Sequence, residues 1–279
     1  MNLDNINFAD LETKGFLVIQ NFLNAQEIIE IMNTHTEIMD RYYNIGSINK
    51  NYPVLRAAIP VSIINKAKLI LSALNQKTNL KTNKIPVRER IVDYLDNSLI
   101  KFGWHQDHEN YFKWQNAYND LNFWVAVNKV KNNESGLDVI PHDKLADKIP
   151  VLFKEHILGK GAKYLRSATD NNTFVDDTET GELLVLPINL EAIKETPSVS
   201  SGDLLLLRGD LIHRSQTRTI PRLSIGFRAV NTNQIITKEK FYNGSQKKQE
   251  MIKKNFESYK TLIEMYENKN SFSVSEYLK

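Results

Sequence analysis

The sequence predicts a mainly β fold with helices packed outside it: a β-sandwich or jelly roll, formed as a single domain over residues 1–279. Three observations predict it. From about residue 88 to 231 the chain is a run of short apolar segments separated by glycine, proline, aspartate and asparagine, as strands joined by turns are. Two of these segments, "NFWVAVNKV" (Asn122–Val130) and "RLSIGFRAV" (Arg222–Val230), alternate with the period of two of a half-buried strand. Before and after this middle, the apolar residues recur with helical spacing.

In chain order, "GFLVIQNF" (Gly15–Phe22) predicts a short strand. "LNAQEIIEIMNTHTEIMDRYY" predicts a helix with Asn24 as N-cap and Glu27 three residues on, the spacing of a capping box. A second helix is expected over Ser62–Asn75. "KIPVRERIVDYL" opens the strand-rich part. "GELLVLPINL" and "GDLLLLRGDLIHRS" are continuous apolar runs of the kind found in buried strands. The segment 160–201 is long and polar, and is expected to be an insertion over one mouth of the sandwich. A final helix is expected in "SQKKQEMIKKNFESYKTLIEMYENK", whose lysines read as a solvated face.

Composition narrows the function. A net charge of +3, with lysine and arginine dispersed, gives no reason to expect nucleic acid as a partner. There is no cysteine, which excludes disulfides, thiolate metal sites and cysteine nucleophiles and fits a reducing compartment. The acidic N-terminal stretch is unlike a signal peptide, and no apolar run approaches the roughly twenty residues of a membrane span. A cytoplasmic protein with a small-molecule substrate, and no membrane or nucleic-acid partner, is expected. The acidic "DNNTFVDDTETGE" does not place glycine and glutamate as an EF-hand loop requires. "RGD" at Arg208–Asp210 follows a buried run, which argues against an adhesion loop.

The chemistry concentrates in "GWHQDHENYF" (Gly103–Phe112). On a strand, positions i and i+2 share a face, so His105 and Asp107 are able to reach one ion. Alone, a His-x-Asp fits a solvated pair better than a metal site. A third partner changes the balance: His213 stands just beyond the turn that ends a buried strand. Two imidazoles and one carboxylate on one side of a metal, with the other side open, suit non-haem Fe(II) oxygenases. Nine residues on, Arg222 and Ser224 occupy one face of the next strand. A guanidinium with a hydroxyl beside it matches a carboxylate.

In this order the motifs resemble the phytanoyl-CoA dioxygenase family. "LETKGFLVIQNFLNAQEI", "LNFWVAVNKVKNNESGLDVIPHDK" and "SGDLLLLRGDLIHRSQ" extend the resemblance over most of the chain. It departs from the family's Pro-Gly-Ser-His, reduced here to Pro141-His142, which favours a structural role for His142. The resemblance implies a double-stranded β-helix, a cupin-like jelly roll. It implies Fe(II) held by His105, Asp107 and His213, and 2-oxoglutarate as co-substrate bound by Arg222 and Ser224, with Asn122 adding a hydrogen bond. O2 would be consumed, and CO2 and succinate released. Asp107 fills the position that related halogenases leave open for chloride, so hydroxylation is expected. Trp104, Tyr111, Phe112, Arg88, Arg90 and Arg228 are candidate substrate contacts. Two other classes fit the same barrel: a cupin-type binding or regulatory module without turnover, and a metal-dependent hydrolase or isomerase.

Overall fold

In the computed structural model, the alternating segments pair as antiparallel strands. It describes residues 3–45, 54–86, 91–95, 102–129, 134, 136–168, 171–216 and 222–279. The strands that position the site are β1 (Phe16–Ile19), β2 (Val54–Ala58), β3 (Ile91–Leu95), β4 (His105–Gln106), β5 (Leu121–Lys129) and β6 (Leu137–Ile140). They continue with β7 (Lys163–Ser167), β8 (Thr173–Asp177), β9 (Leu183–Leu186), β10 (Leu204–Arg208), β11 (Ile212–Ser215) and β12 (Arg222–Ala229). One sheet runs β1-β10-β5-β12, the other β6-β11-β4-β7-β8-β9. A β2–β3 ribbon lies beside β12. The segment expected as an insertion thus supplies β7, β8 and β9, which extend the sheet that carries His105 and His213.

The alternation decides which residues face which layer. On β5 and β12, Phe123, Val125, Val127, Leu223, Ile225 and Phe227 point outward. They pack under the helix Val61–Lys77, through residues such as Ile63, Ile70 and Leu74. The alternate residues Trp124 and Ala126 point inward and meet Leu137 and Val139 of β6, with Leu205 and Leu207 of β10, between the sheets. On the far side of the six-stranded sheet, Leu165, Val175 and Ile212 pack against Leu145, Phe153 and Ile157. Each strand therefore separates an outer core from an inner face, and the site lies on the inner one.

The helix Ala25–Ile45 begins with the expected capping box: Glu27 N–H donates to Asn24 Oδ1 and Asn24 N–H to Glu27 Oε2, each at 2.9 Å. The C-terminal helical segment forms two helices, Gln246–Lys254 and Phe256–Asn268, which meet at Asn255. Their aromatic side chains, Tyr259 and Tyr266 with Phe241 and Phe272, bury against Trp114 and Tyr277. One lysine of the basic segment is not solvated: Lys248 is buried and its ammonium donates to Glu179 Oε1 at 2.9 Å and to the carbonyls of Lys240 and Asn243.

The turn between β10 and β11 is held from inside. Arg208 and Asp210 are both buried and paired, Nε to Oδ1 at 3.0 Å and Nη2 to Oδ2 at 2.5 Å. Asp210 Oδ2 also accepts from Gly159 N–H at 2.7 Å, and the guanidinium lies 4.0 Å from the Tyr118 ring centroid. His142 packs into the same network, its Nε2 3.7 Å from Asp210 Oδ1. Gly15, at φ +83°, lets the backbone approach that imidazole: a Cβ there would stand 2.8 Å from the ring.

Burial pushes the His142 pKa down, against the attraction of Asp210 and with the repulsion of Arg208. The folded chain therefore holds His142 neutral where the unfolded chain, at an ordinary value of 6.5, begins to take up a proton. The unfolded state then binds more protons, so stability falls as pH drops below that value, by up to about 1.4 kcal/mol per pH unit. Urea unfolding at a series of pH values should show this slope, and His142→Gln should flatten it.

Candidate metal centre

β4 and β11 are antiparallel neighbours, and His105 and His213 are direct Cα partners on the inner face. Their ring centroids are 4.3 Å apart. Each imidazole is anchored in the same way. His105 Nδ1 lies 2.8 Å from the carbonyl of Gly103, and His213 Nδ1 3.0 Å from that of Leu211. A carbonyl only accepts, so Nδ1 carries the proton in both rings and Nε2 presents a lone pair.

Both Nε2 atoms turn toward Asp107, just past the end of β4. Asp107 Oδ1 is 3.7 Å from His105 Nε2 and 4.0 Å from His213 Nε2. The three ligand atoms lie within 4.8 Å of one another, the spacing of donors around one ion. Oδ2 is committed elsewhere: it accepts from Asn122 Nδ2 at 2.7 Å and from Arg228 Nη2 at 3.1 Å. Asn122 and Arg228 are themselves cross-strand partners on β5 and β12, and Arg228 Nε donates to Asn122 Oδ1 at 2.5 Å. The two sheets thus meet at this carboxylate, one supplying the three candidate ligands and the other orienting Asp107.

Burial raises the Asp107 pKa, but the Arg228 guanidinium, the two imidazoles and the Asn122 amide outweigh it. The carboxyl stays well below the usual carboxylate range. Burial, reinforced by the neighbouring His105, brings His213 down to about 4. A deprotonated carboxylate beside a neutral imidazole is the state in which both donate to a cation.

The inner face of β12 carries Arg222, Ser224, Gly226 and Arg228 in alternate positions. A bulge at Leu223/Ser224 readjusts the pairing with β5. Arg222 is buried, donates Nη1–H to the Gly136 carbonyl at 2.7 Å and lies 5.4 Å from the Trp124 ring centroid. Ser224 is buried beside it. A Cβ on Gly226 would meet nothing within 4 Å, so open space separates the Arg222 end of this face from the Arg228 end. Lys129, the Cα partner of Arg222, adds a second buried cation, whose pKa burial and the Arg222 charge push down to about 8.

The other candidates fall in different places. Trp104 precedes His105 on the strand and projects to the opposite face. There its Nε1–H donates to Glu191 at 2.9 Å and Arg214 stacks on its ring at 4.3 Å. Phe112 is buried in the C-terminal aromatic core. Tyr111 lines a small cavity behind Asp107 with Asn110, Trp114, Asn122 and Arg228. Arg88 and Arg90 lie outside the described residues. Sequence reasoning had Asn122 and Arg228 as separate contacts for co-substrate and substrate. Their shared task of orienting Asp107 was missed, and only knowledge of the β5–β12 register would have revealed it. Lys129 was missed as well, its one signal being its place at the end of an alternating strand.

Removing this support should weaken the metal without breaking the fold. Asn122→Ala is expected to lower iron affinity about 10–100-fold, as loss of a ligand's hydrogen-bond partner does elsewhere. Anaerobic iron titration measures it, with thermal unfolding as a control.

No protein-family model matches the chain, and no curated protein matches it in sequence. Solved structures do match in shape. EctD from S. alaskensis, solved with 2-oxoglutarate and 5-hydroxyectoine, superposes with a TM-score of 0.50 at 14% identity, over 86% of this chain and 79% of that one. ThoJ, a non-heme monooxygenase in its apo form, superposes with a TM-score of 0.50 at 14% identity, over 81% of this chain and 78% of that one. At these identities the likeness shows the fold. The chain is a jelly roll of antiparallel sheets with flanking helices, of the kind expected from its strand pattern. Among the described residues no helix is long and apolar enough to cross a membrane.

Proposed function

We propose that this chain is a non-haem Fe(II)- and 2-oxoglutarate-dependent oxygenase of the phytanoyl-CoA dioxygenase type, hydroxylating a small molecule. One observation carries the reading: two Nδ1-anchored imidazoles and one carboxylate oxygen converge on a single point. That donor set fits ferrous iron, because three protein ligands on one side leave positions for co-substrate and O2. Iron bound there supplies oxidation by O2 coupled to conversion of 2-oxoglutarate into succinate and CO2.

The chain's own residues do the remaining work. His105, His213 and Asp107 hold the ion, while Asn122 and Arg228 fix which Asp107 oxygen faces it. Arg222, with Ser224, takes the distal carboxylate of the co-substrate, and the open space at Gly226 leaves room for its body. Burial strengthens that pairing, since little water competes for the guanidinium. EctD, with which the chain shares its fold, was solved with 2-oxoglutarate. Asp107 would hold the ion with a carboxylate where a halogenase would leave room for a halide, which favours hydroxylation.

The test is consumption of 2-oxoglutarate with formation of succinate under air, dependent on added iron. No turnover in the presence of saturating iron would end the reading. In the same assay Arg222→Ala should raise the 2-oxoglutarate KM at least about tenfold, the worth of a charge-assisted bidentate pair, while iron affinity holds.

A further inference from the structure

The six-stranded sheet extends past the triad; His108 stacks on Tyr164 at 4.1 Å on its inner face, which opens beyond that contact toward β8 and β9. Register gives the order. His213 pairs with His105, His105 with Tyr164, Tyr164 with Asp176, and Asp176 with Leu183. One row therefore runs from the candidate metal ligands to the sheet's edge on a single face. A second row beside it holds Arg166, Phe174 and Val185. The residues that alternate with these positions, Leu165, Val175 and Leu186, are buried in the outer core and Leu184 packs against it, so the orientation of the face is fixed. Its apolar members stand open: Tyr164 is 41% exposed, Phe174 52%, Val185 50% and Leu183 81%.

The charges on this face are unequal. Asp176 is paired with Lys247, whose ammonium also lies 5.6 Å from the Tyr164 ring centroid. Arg166 is exposed and has no ion pair among the described residues. Among the described residues, the part of this face beyond Tyr164 is thus apolar with one guanidinium that has no ion pair. Exposed aromatic and aliphatic side chains grouped beside a reactive centre mark a binding surface.

We propose that β7, β8 and β9 form the substrate platform of this site. Its substrate is a small apolar molecule bearing one anionic group, a carboxylate or a phosphate ester. Its ring or chain lies over Phe174 and Val185 and its anion pairs with Arg166. The inference rests on the oxygenase reading for its chemistry, and on the sheet register for its geometry. Neighbouring strands are about 4.8 Å apart, so Phe174 stands about 10 Å and Val185 about 14 Å across the sheet from His105. Arg166 is one strand over and two residues along, about 8 Å away. A molecule held at these points presents the carbon near its charged end to the triad, and its apolar remainder trails toward the sheet edge.

The experiment is calorimetric titration of the full chain, with and without EDTA, using 2-naphthoate, 2-naphthyl phosphate, octanoate and the neutral 2-naphthamide. An anionic probe should bind at least about tenfold tighter than the amide, the strength of a charge-assisted contact. Arg166→Gln should erase that preference, and Phe174→Ala should weaken all naphthyl probes. Whether phosphate or carboxylate binds better identifies the anion. The platform is refuted if no probe binds, or if neither substitution alters binding. It is also refuted if the chain is a dimer that Leu183→Glu dissociates, for then the face belongs to a second copy. Binding with no iron-dependent succinate formation would remove the oxygenase reading and leave the platform. Succinate formation without such binding would do the reverse.

Discussion

Asp107→Ala is expected to abolish the proposed iron-dependent turnover of 2-oxoglutarate and to lower iron affinity by more than about 100-fold, exceeding the loss from any supporting residue. Two effects add. The ion loses its anionic ligand, and the carboxylate no longer balances the Arg228 guanidinium 3.1 Å away. The substituted site keeps two imidazoles and one cation, an arrangement that repels a divalent metal. Asp107→Asn separates the effects, because it keeps the shape and removes the charge. Arg228→Ala in the Asp107→Ala background should recover part of the affinity if the cation's repulsion matters. Anaerobic iron titration and succinate assay read all three variants. Retention of iron affinity within about twofold by Asp107→Ala would contradict the triad outright.

Asp210→Ala is expected to lower the stability of the chain by about 3–5 kcal/mol, the cost of removing one partner from a buried ion pair. Asp210 is fully buried, and both its oxygens are used: by Arg208 Nε and Nη2 and by the Gly159 amide. Without it the Arg208 charge is stranded in the core under Tyr118. Replacing both partners by apolar residues, Arg208→Met with Asp210→Leu, should recover most of the loss, because no charge is then left buried. Urea unfolding of the two variants beside the unaltered chain measures the difference. Equal destabilisation by the single and double changes would show that packing, not charge, holds this turn. The turn matters for the site because it delivers the chain into β11 three residues before His213.

The strand pattern made the sandwich legible. The alternation in "NFWVAVNKV" and "RLSIGFRAV" and the buried run before His213 are local signals, and local signals survive in a sequence. His105, Asp107 and His213 were legible for the same reason: an i, i+2 pair and a histidine just past a core strand. Three features were not. The segment 160–201 looked like an insertion because the inner residues of β7, β8 and β9 are exposed. A strand with one open face and polar turns gives little apolar density. The joint hold of Asn122 and Arg228 on Asp107 depends on β5–β12 pairing, which no window of sequence contains. Trp104 is a candidate substrate contact by its proximity to His105, yet adjacent residues of an extended chain point to opposite faces.

Both imidazoles of the triad are tethered by backbone carbonyls two residues upstream, groups that are present whichever cation arrives. Acquisition of the proposed ion would consequently be separable from folding: the cage is built by the sheet, and selection among metals would be left to donor chemistry and supply. Nickel and zinc bind imidazole and carboxylate donors at least as tightly as ferrous iron does. A preparation carrying either ion would be well folded and catalytically silent, with activity restored by stripping and reloading with iron.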